Sequence, residues 1–199
     1  MPLTKLNNKA VANVTILPVA LGDMVLVSSA TASSSASIEF SLGNYKEYKF
    51  YFVNIHPSVD GGIFQMNFST DNGSNYNVTK TTTVFIAEHS ETGTFPGLSY
   101  QTASDLAQST SFQRLTTNIG NDNDQSGSGS MSVYNPSSGV YVKHFIATTQ
   151  FYYPDAVVDF SQNMFTAGYA NTTSALTNIK FQMSSGNIDA GKILMFGIN

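Results

Sequence analysis

YKEYKFYFVNI, residues 45–55, alternates with period two. Tyr48, Phe50 and Phe52 fall on one face; Glu47, Lys49 and Tyr51 fall on the other. Apolar positions two apart define a β-strand with one buried face, because a helix would repeat them every three or four residues. Residues 63–70 repeat the pattern, with Phe64, Met66 and Phe68 inward and Gln65, Asn67 and Ser69 outward. Between the two lies a short polar break. After them comes TDNGSNY, whose Asp71, Asn72 and Gly73 tolerate the left-handed backbone that a tight reversal needs.

Working outward, the chain reads as strand after strand. Met24 to Val27 is a short apolar run, followed by the small-residue loop TASSSAS and then SIEFS. A strand is expected around Tyr76 and Val78, and another over 82–88 with Val84 and Ile86 inward. Further strands are expected at 131–134, 140–148, 157–160 and 164–169. Ile179, Phe181 and Met183 alternate with Lys180 and Gln182. After SSGNIDAG, Leu194, Phe196 and Ile198 alternate with Ile193 and Met195, which reads as a final hairpin. Residues 90–128 differ. Gly93, Pro96 and Gly97 break the pattern, a short helix is expected from Ala103 to Leu115 with Ser104 as its N-cap, and NIGNDNDQSGSGS (118–130) reads as a long exposed loop. The expected fold is all-β: an antiparallel β-sandwich of about ten strands, jelly-roll-like, over residues 23–199. Residues 1–22 form an extended N-terminal arm. Its apolar side chains (Leu3, Leu6, Val11, Val14, Ile16, Leu17, Val19, Leu21) are too many for a free tail, so the segment is expected either to lie across its own domain or to dock on a neighbour.

Composition bounds what such a domain does. A chain of 199 residues forms one domain burying roughly 70% of its unfolded surface, and 41% hydrophobic residues provide the core. Only 11% are charged. Ser, Thr and Asn number 25, 20 and 18, or 63 of 199, so the surface is mostly neutral and polar. Nine Lys and Arg, scattered singly, make no footprint for nucleic acid, and a net charge of −4 disfavours anionic membranes. The longest apolar stretch, ILPVAL at 16–21, is far short of the ~20 residues that span a bilayer. Lys5 and Lys9 before a mildly apolar run mimic a secretion signal, but Asn13, Thr15 and Pro18 interrupt it, so the segment reads as mature, ordered chain. Without Cys there is no disulfide framework and no thiolate metal site.

Motifs for catalysis are weak. Gly186 to Lys192 has the G-x-x-x-x-G-K spacing of a phosphate loop, but Ile193 stands where Ser or Thr would hold Mg²⁺, and a period-two strand follows instead of a helix. The segment reads as a turn with glycines at positive φ. Glu88 and His89 point to opposite faces of a strand. His144, alternating with Val142 and Ile146, reads as a half-buried, hydrogen-bonded histidine. Gly127-Ser-Gly-Ser130 has the wrong spacing for a nucleophile elbow and the composition of a flexible linker. Asp155 and Asp159 are a carboxylate pair whose separation only the fold sets. Asp122 and Asp124 are weak calcium candidates, because the other ligands of a calcium loop are missing. Phe151, Tyr152 and Tyr153 place rings on both faces of a strand, and Tyr51 points away from the buried face of its own. Exposed rings of this kind suit sugar stacking or protein contacts. No catalytic residue, metal or cofactor is assigned.

YKEYKFYFVNIHPS (45–58), STDNGSNYN (69–77), GNDNDQSGSG (120–129), NPSSGVYVKHFI (135–146), AGYANTTSALTNIKFQMSSGNIDAGKI (167–193) and the closing LMFGI together resemble a β-domain of exterior virion proteins of tailed bacteriophages, especially marine ones. The opening MPLTKLNNKAV resembles the start of phage fibre-like proteins. The resemblance implies a non-enzymatic virion protein on the particle exterior, with other virion proteins as partners and assembly as a homo-oligomer, a trimer being the common form. It carries no catalytic residues to transfer. Absence of a heptad-bearing shaft favours a capsid decoration protein anchored by the N-terminal arm. The alternative is a short tail fibre or appendage that binds a host-surface glycan through the loops at 90–128.

Overall fold

The computed structural model describes residues 24–199; the arm assigned to residues 1–22, with all of its apolar side chains, lies outside the described residues. Among the described residues, twelve strands and no helix form two antiparallel sheets. In chain order they are β1 (Val25–Thr31), β2 (Ile38–Ser41), β3 (Glu47–Pro57), β4 (Gly62–Ser69), β5 (Lys80–Ser90), β6 (Pro96–Tyr100), β7 (Gln113–Ile119), β8 (Gly127–Tyr134), β9 (Lys143–Tyr153), β10 (Phe160–Ala170), β11 (Asn178–Met183) and β12 (Ile188–Ile198). The larger sheet runs β1-β12-β3-β8-β9-β10-β5-β6 and the smaller runs β2-β11-β4-β7.

The two orders contain a jelly roll. Strands β1, β12, β3 and β8 face β2, β11, β4 and β7, and the chain passes from one layer to the other between successive members of this set except β4 and β7, which pair within the smaller sheet. The remaining strands, β9, β10, β5 and β6, widen the larger sheet on one side. Only β5–β6, β8–β9 and β9–β10 are hairpins; every other connection changes layer.

The alternation that identified β3 is what closes the core. Tyr48, Phe50 and Phe52 are buried on the inner face, and so are Phe64, Met66 and Phe68 of β4. Phe181 of β11 sits at the centre, with ring centroids 5.4, 5.3 and 5.7 Å from Phe50, Phe52 and Phe64. Near its end β3 bulges at Asn54, in the left-handed region at φ 50°. The bulge rephases the strand so that Ile55 is again buried. Opposite it, a Cβ on Gly191 (φ +117°) would lie 2.6 Å from Asn54 O, so only glycine fits there.

Several sequence expectations are corrected. There are twelve strands, not ten, because β6 and β7 lie in the stretch assigned to loop and helix. Residues 101–109 do not form the expected helix. They continue along the edge of β5, where Gln101 N donates to Val84 O (2.9 Å), Thr82 N to Leu106 O (2.8 Å), and Lys80 and Ser109 exchange two bonds. Leu115 belongs to β7. Backbone bonding to a neighbouring strand outcompeted a single helical turn at Gln101–Asp105, and Ser104 is buried rather than capping. The polar stretch 118–130 is loop only over 120–126: its first two residues end β7, and Gly127–Ser130 opens β8 in the middle of the larger sheet. The final pair, β11 and β12, belongs to different sheets, so residues 184–187 form an arch and not a hairpin. No strand forms around Tyr76 and Val78. Finally, Asn67 and Ser69 point away from the core but are buried, because residues 71–80 and 109–110 fold over them.

That cover is held by a buried lysine. Lys80 Nζ donates to Asn67 Oδ1 (2.6 Å) and Val78 O (2.7 Å), while Asn67 Nδ2 donates to Tyr76 O (2.7 Å) and Thr110 O (2.9 Å). Burial pushes the Lys80 ammonium down to about 7.

Candidate functional site

At the end of the sandwich where β3, β5, β7, β9 and β11 finish, the connecting loops gather Asp60, Glu91, Asp122, Asp124, Asp155 and Asp159, with Glu88 and Asp189 at the adjoining strand ends. These are eight of the thirteen Asp and Glu of the chain. The outer face of the larger sheet bears two adjoining depressions at this pole.

The first, of about 560 Å³, is lined by His89, Glu91, Asp124, Gln150, Tyr152 and Ser161 among others. Its floor follows from strand register. His89 of β5 pairs with Ser161 of β10, and Ser161 with Tyr152 of β9, so the three stand in one outward row. Phe151, one residue earlier, turns into the core and is fully buried. Tyr152 is fixed at both ends: its N donates to Ser126 O (3.1 Å), and its hydroxyl donates to Asp159 Oδ2 (2.5 Å). That carboxylate pushes the Tyr152 phenol up to about 12, chiefly through the hydrogen bond. Asp159 O accepts from Glu91 N (2.9 Å), which ties the β5–β6 turn to the same loop. Gln150 Nε2 reaches Ser161 Oγ at 3.3 Å.

The second depression, about 500 Å³, is lined by Asn54, His56, Asn123, Asp124, Gln125, Ser126, Asp189 and Ala190. Asp124 and Ser126 belong to both. Loop 120–126 separates and shapes them, and it is internally braced. Gln125 is buried, its N donates to Asp122 O (2.9 Å), and its Nε2 donates to Asp122 Oδ2 (3.3 Å). His56 Nε2 lies 3.1 Å from Asp122 O, and Nδ1 lies 4.0 Å from Asp189. Neither depression is lined by Lys or Arg.

The structure disperses the other residues singled out in the sequence. Phe151 is core, and Tyr153 packs edge-on against Phe160 at 6.0 Å. Tyr51 is half-buried, edge-on to Phe196 at 5.7 Å. Asp122 is engaged by Gln125, and among the described residues no group of three His, Asp or Glu is placed to hold a metal. Asp159 accepts from Tyr152 and, at 3.3 Å, from Asp155 N, so both its oxygens are in use. Glu88 and His89 do fall on opposite faces: Glu88 accepts from Gln162 Nε2 (2.7 Å), while His89 is exposed. His144 is corrected from half-buried to exposed. It faces outward beside Tyr169 and Ile146, on a separate concavity of about 450 Å³. Gly186 and Gly191 have positive φ, and β12, not a helix, follows.

Sequence reasoning marked Tyr152 and Asp124 but missed Gln150, Ser161 and Asn54. These are ordinary polar residues whose only signal is an outward position on their strands. Among the described residues, no helix is long and apolar enough to cross a membrane. No family model, no curated protein and no solved structure matches the chain.

Proposed function

We propose that this chain is a non-enzymatic structural protein on the exterior of a tailed-bacteriophage particle, a capsid decoration protein that docks on neighbouring virion proteins through its N-terminal segment and the flank of the sandwich beside it. The observation that carries the reading is the run Met24–Val27. These four apolar residues are 41–51% exposed where β1, the outermost strand of the larger sheet, begins, and Asp23 alone separates them from the segment 1–22. β1 contains no Lys, no Pro and no charge. Edges left this open are a liability for a free monomer and suit a strand or a neighbour's surface. The opposite edge strand, β6, carries Pro96 and Gly97, residues that discourage pairing. The phage resemblance gives the setting, and it makes a trimer the natural assembly.

Deletion of residues 1–22 tests the reading. The truncated protein should fold with an unchanged β-rich spectrum and fail to join particles, while the full chain covers the capsid in many copies. Normal incorporation of the truncated chain would overturn docking by this flank. A few copies confined to the tail would overturn decoration in favour of an appendage.

A further inference from the structure

We propose that the two adjoining depressions around Asp124 form one binding trough for a neutral, hydroxyl-rich saccharide chain. This goes beyond the structural role, since it uses the end of the sandwich opposite Met24–Val27 and requires no contact with a particle.

Four observations converge on that ligand. The trough holds a half-buried aromatic ring, Tyr152, in a fixed orientation through Asp159 and Ser126. A ring presented this way stacks against the apolar face of a pyranose, as aromatic side chains do wherever one end of a contact is apolar and the other wet. Around it stand groups that match sugar hydroxyls: the carboxylates of Glu91 and Asp124 as acceptors, the amides of Gln150 and Asn54 as donor and acceptor, and the hydroxyl of Ser161. Carboxylates accept hydrogen bonds from hydroxyls more strongly than neutral groups do. The absence of Lys and Arg from both linings, at a pole holding eight carboxylates, excludes sulfated, phosphorylated or uronate-rich chains by repulsion. The extent also fits. Each depression alone has the volume of a small-ligand site, and sharing Asp124 and Ser126 makes them consecutive, as an extended chain requires. Both are shallow and solvent-facing, which suits binding of an internal stretch of polymer.

Affinity electrophoresis of the full chain through gels containing dextran, laminarin or galactomannan, beside gels containing alginate or carrageenan, tests the proposal. Migration should be retarded by at least one neutral glycan and by neither anionic one. Tyr152→Ala should weaken that binding by about tenfold, in line with loss of one aromatic stack. Tyr152→Phe, which keeps the ring, should retain most of it. Ser161→Arg places a bulky side chain on the exposed floor between His89 and Tyr152 and should abolish binding without touching the core, which covers the case in which Tyr152→Ala fails to fold. The proposal is overturned by no retardation in any neutral gel, by equal or stronger retardation in the anionic gels, or by binding that survives Ser161→Arg. None of these outcomes bears on incorporation into particles, so this reading and the docking reading fail separately.

Discussion

Two single residues make stability rise with pH in two separate windows. Asp71, in the turn after β4, accepts from Ser69 Oγ (2.6 Å), Asn75 N (2.9 Å) and Asn75 Nδ2 (2.7 Å). These bonds, that from Ser69 first, hold its carboxyl at about 2, below its ordinary 3.8. The folded form therefore releases a proton that the unfolded form still binds between these values. Its contribution is full above about pH 4 and is lost as pH falls to about 2. Asp71→Asn should lower the melting temperature at neutral pH and flatten this acid limb in a thermal-melt series. Lys80 acts with the same sign in an alkaline window. Its folded value of about 7 lies below its ordinary 10.5, so the cost of burying the ammonium is complete below pH 7 and is relieved as pH rises towards 10. Urea denaturation should show stability rising over that window by on the order of a few kcal/mol. Lys80→Met should remove the rise. A flat profile in the parent chain would refute the assignment.

At the level of elements, glycine is the instructive residue. Gly127 and Gly129 read as linker because Gly and Ser are what linkers contain, yet both lie in β8 between β3 and β9. A Cβ on Gly129 would collide with Thr148 O and lie 2.7 Å from Thr149 Cα, and backbone atoms cannot swing aside. Gly129→Ala should cost about 2–3 kcal/mol in chemical denaturation. Gly139→Ala, with nothing within 4 Å of the added methyl, should stay within about 0.5 kcal/mol. Composition could not separate these two glycines, because the difference lies in a neighbour far along the chain. The helix expected from Ala103 to Leu115 fails for the same reason: the competing partner, β5, is non-local. The period-two strands β3, β4 and β11 were legible, since Tyr48, Phe50 and Phe52 need only local spacing to declare a buried face, whereas β6 and β7 were missed and the strand expected at 157–160 is loop up to Phe160. Which layer a strand joins was not legible, and β11 and β12 were therefore taken as a hairpin. Tyr152 was legible within FYYP, but its convergence with His89 and Asp124 depends on the register of three strands.

Over the whole molecule, charge is segregated. Eight carboxylates crowd one pole, and none of the loops there carries Lys or Arg. Such crowding is a repulsion that salt screens, with a Debye length of about 10 Å at 0.1 M. The double substitution Asp60→Asn and Asp124→Asn should raise the melting temperature by a degree or two in dilute buffer and leave it unchanged near ~1 M salt. An equal effect at both ionic strengths would mean that the two side chains act through local contacts instead. The placement of β12 has a different consequence. It is wedged between β1 and β3, so the first-made strand of the larger sheet has no neighbour until residue 198 is free of the ribosome. A nascent chain stalled before β12 would therefore present the facing margins of β1 and β3 unpaired to whatever chaperone or aggregate meets them first.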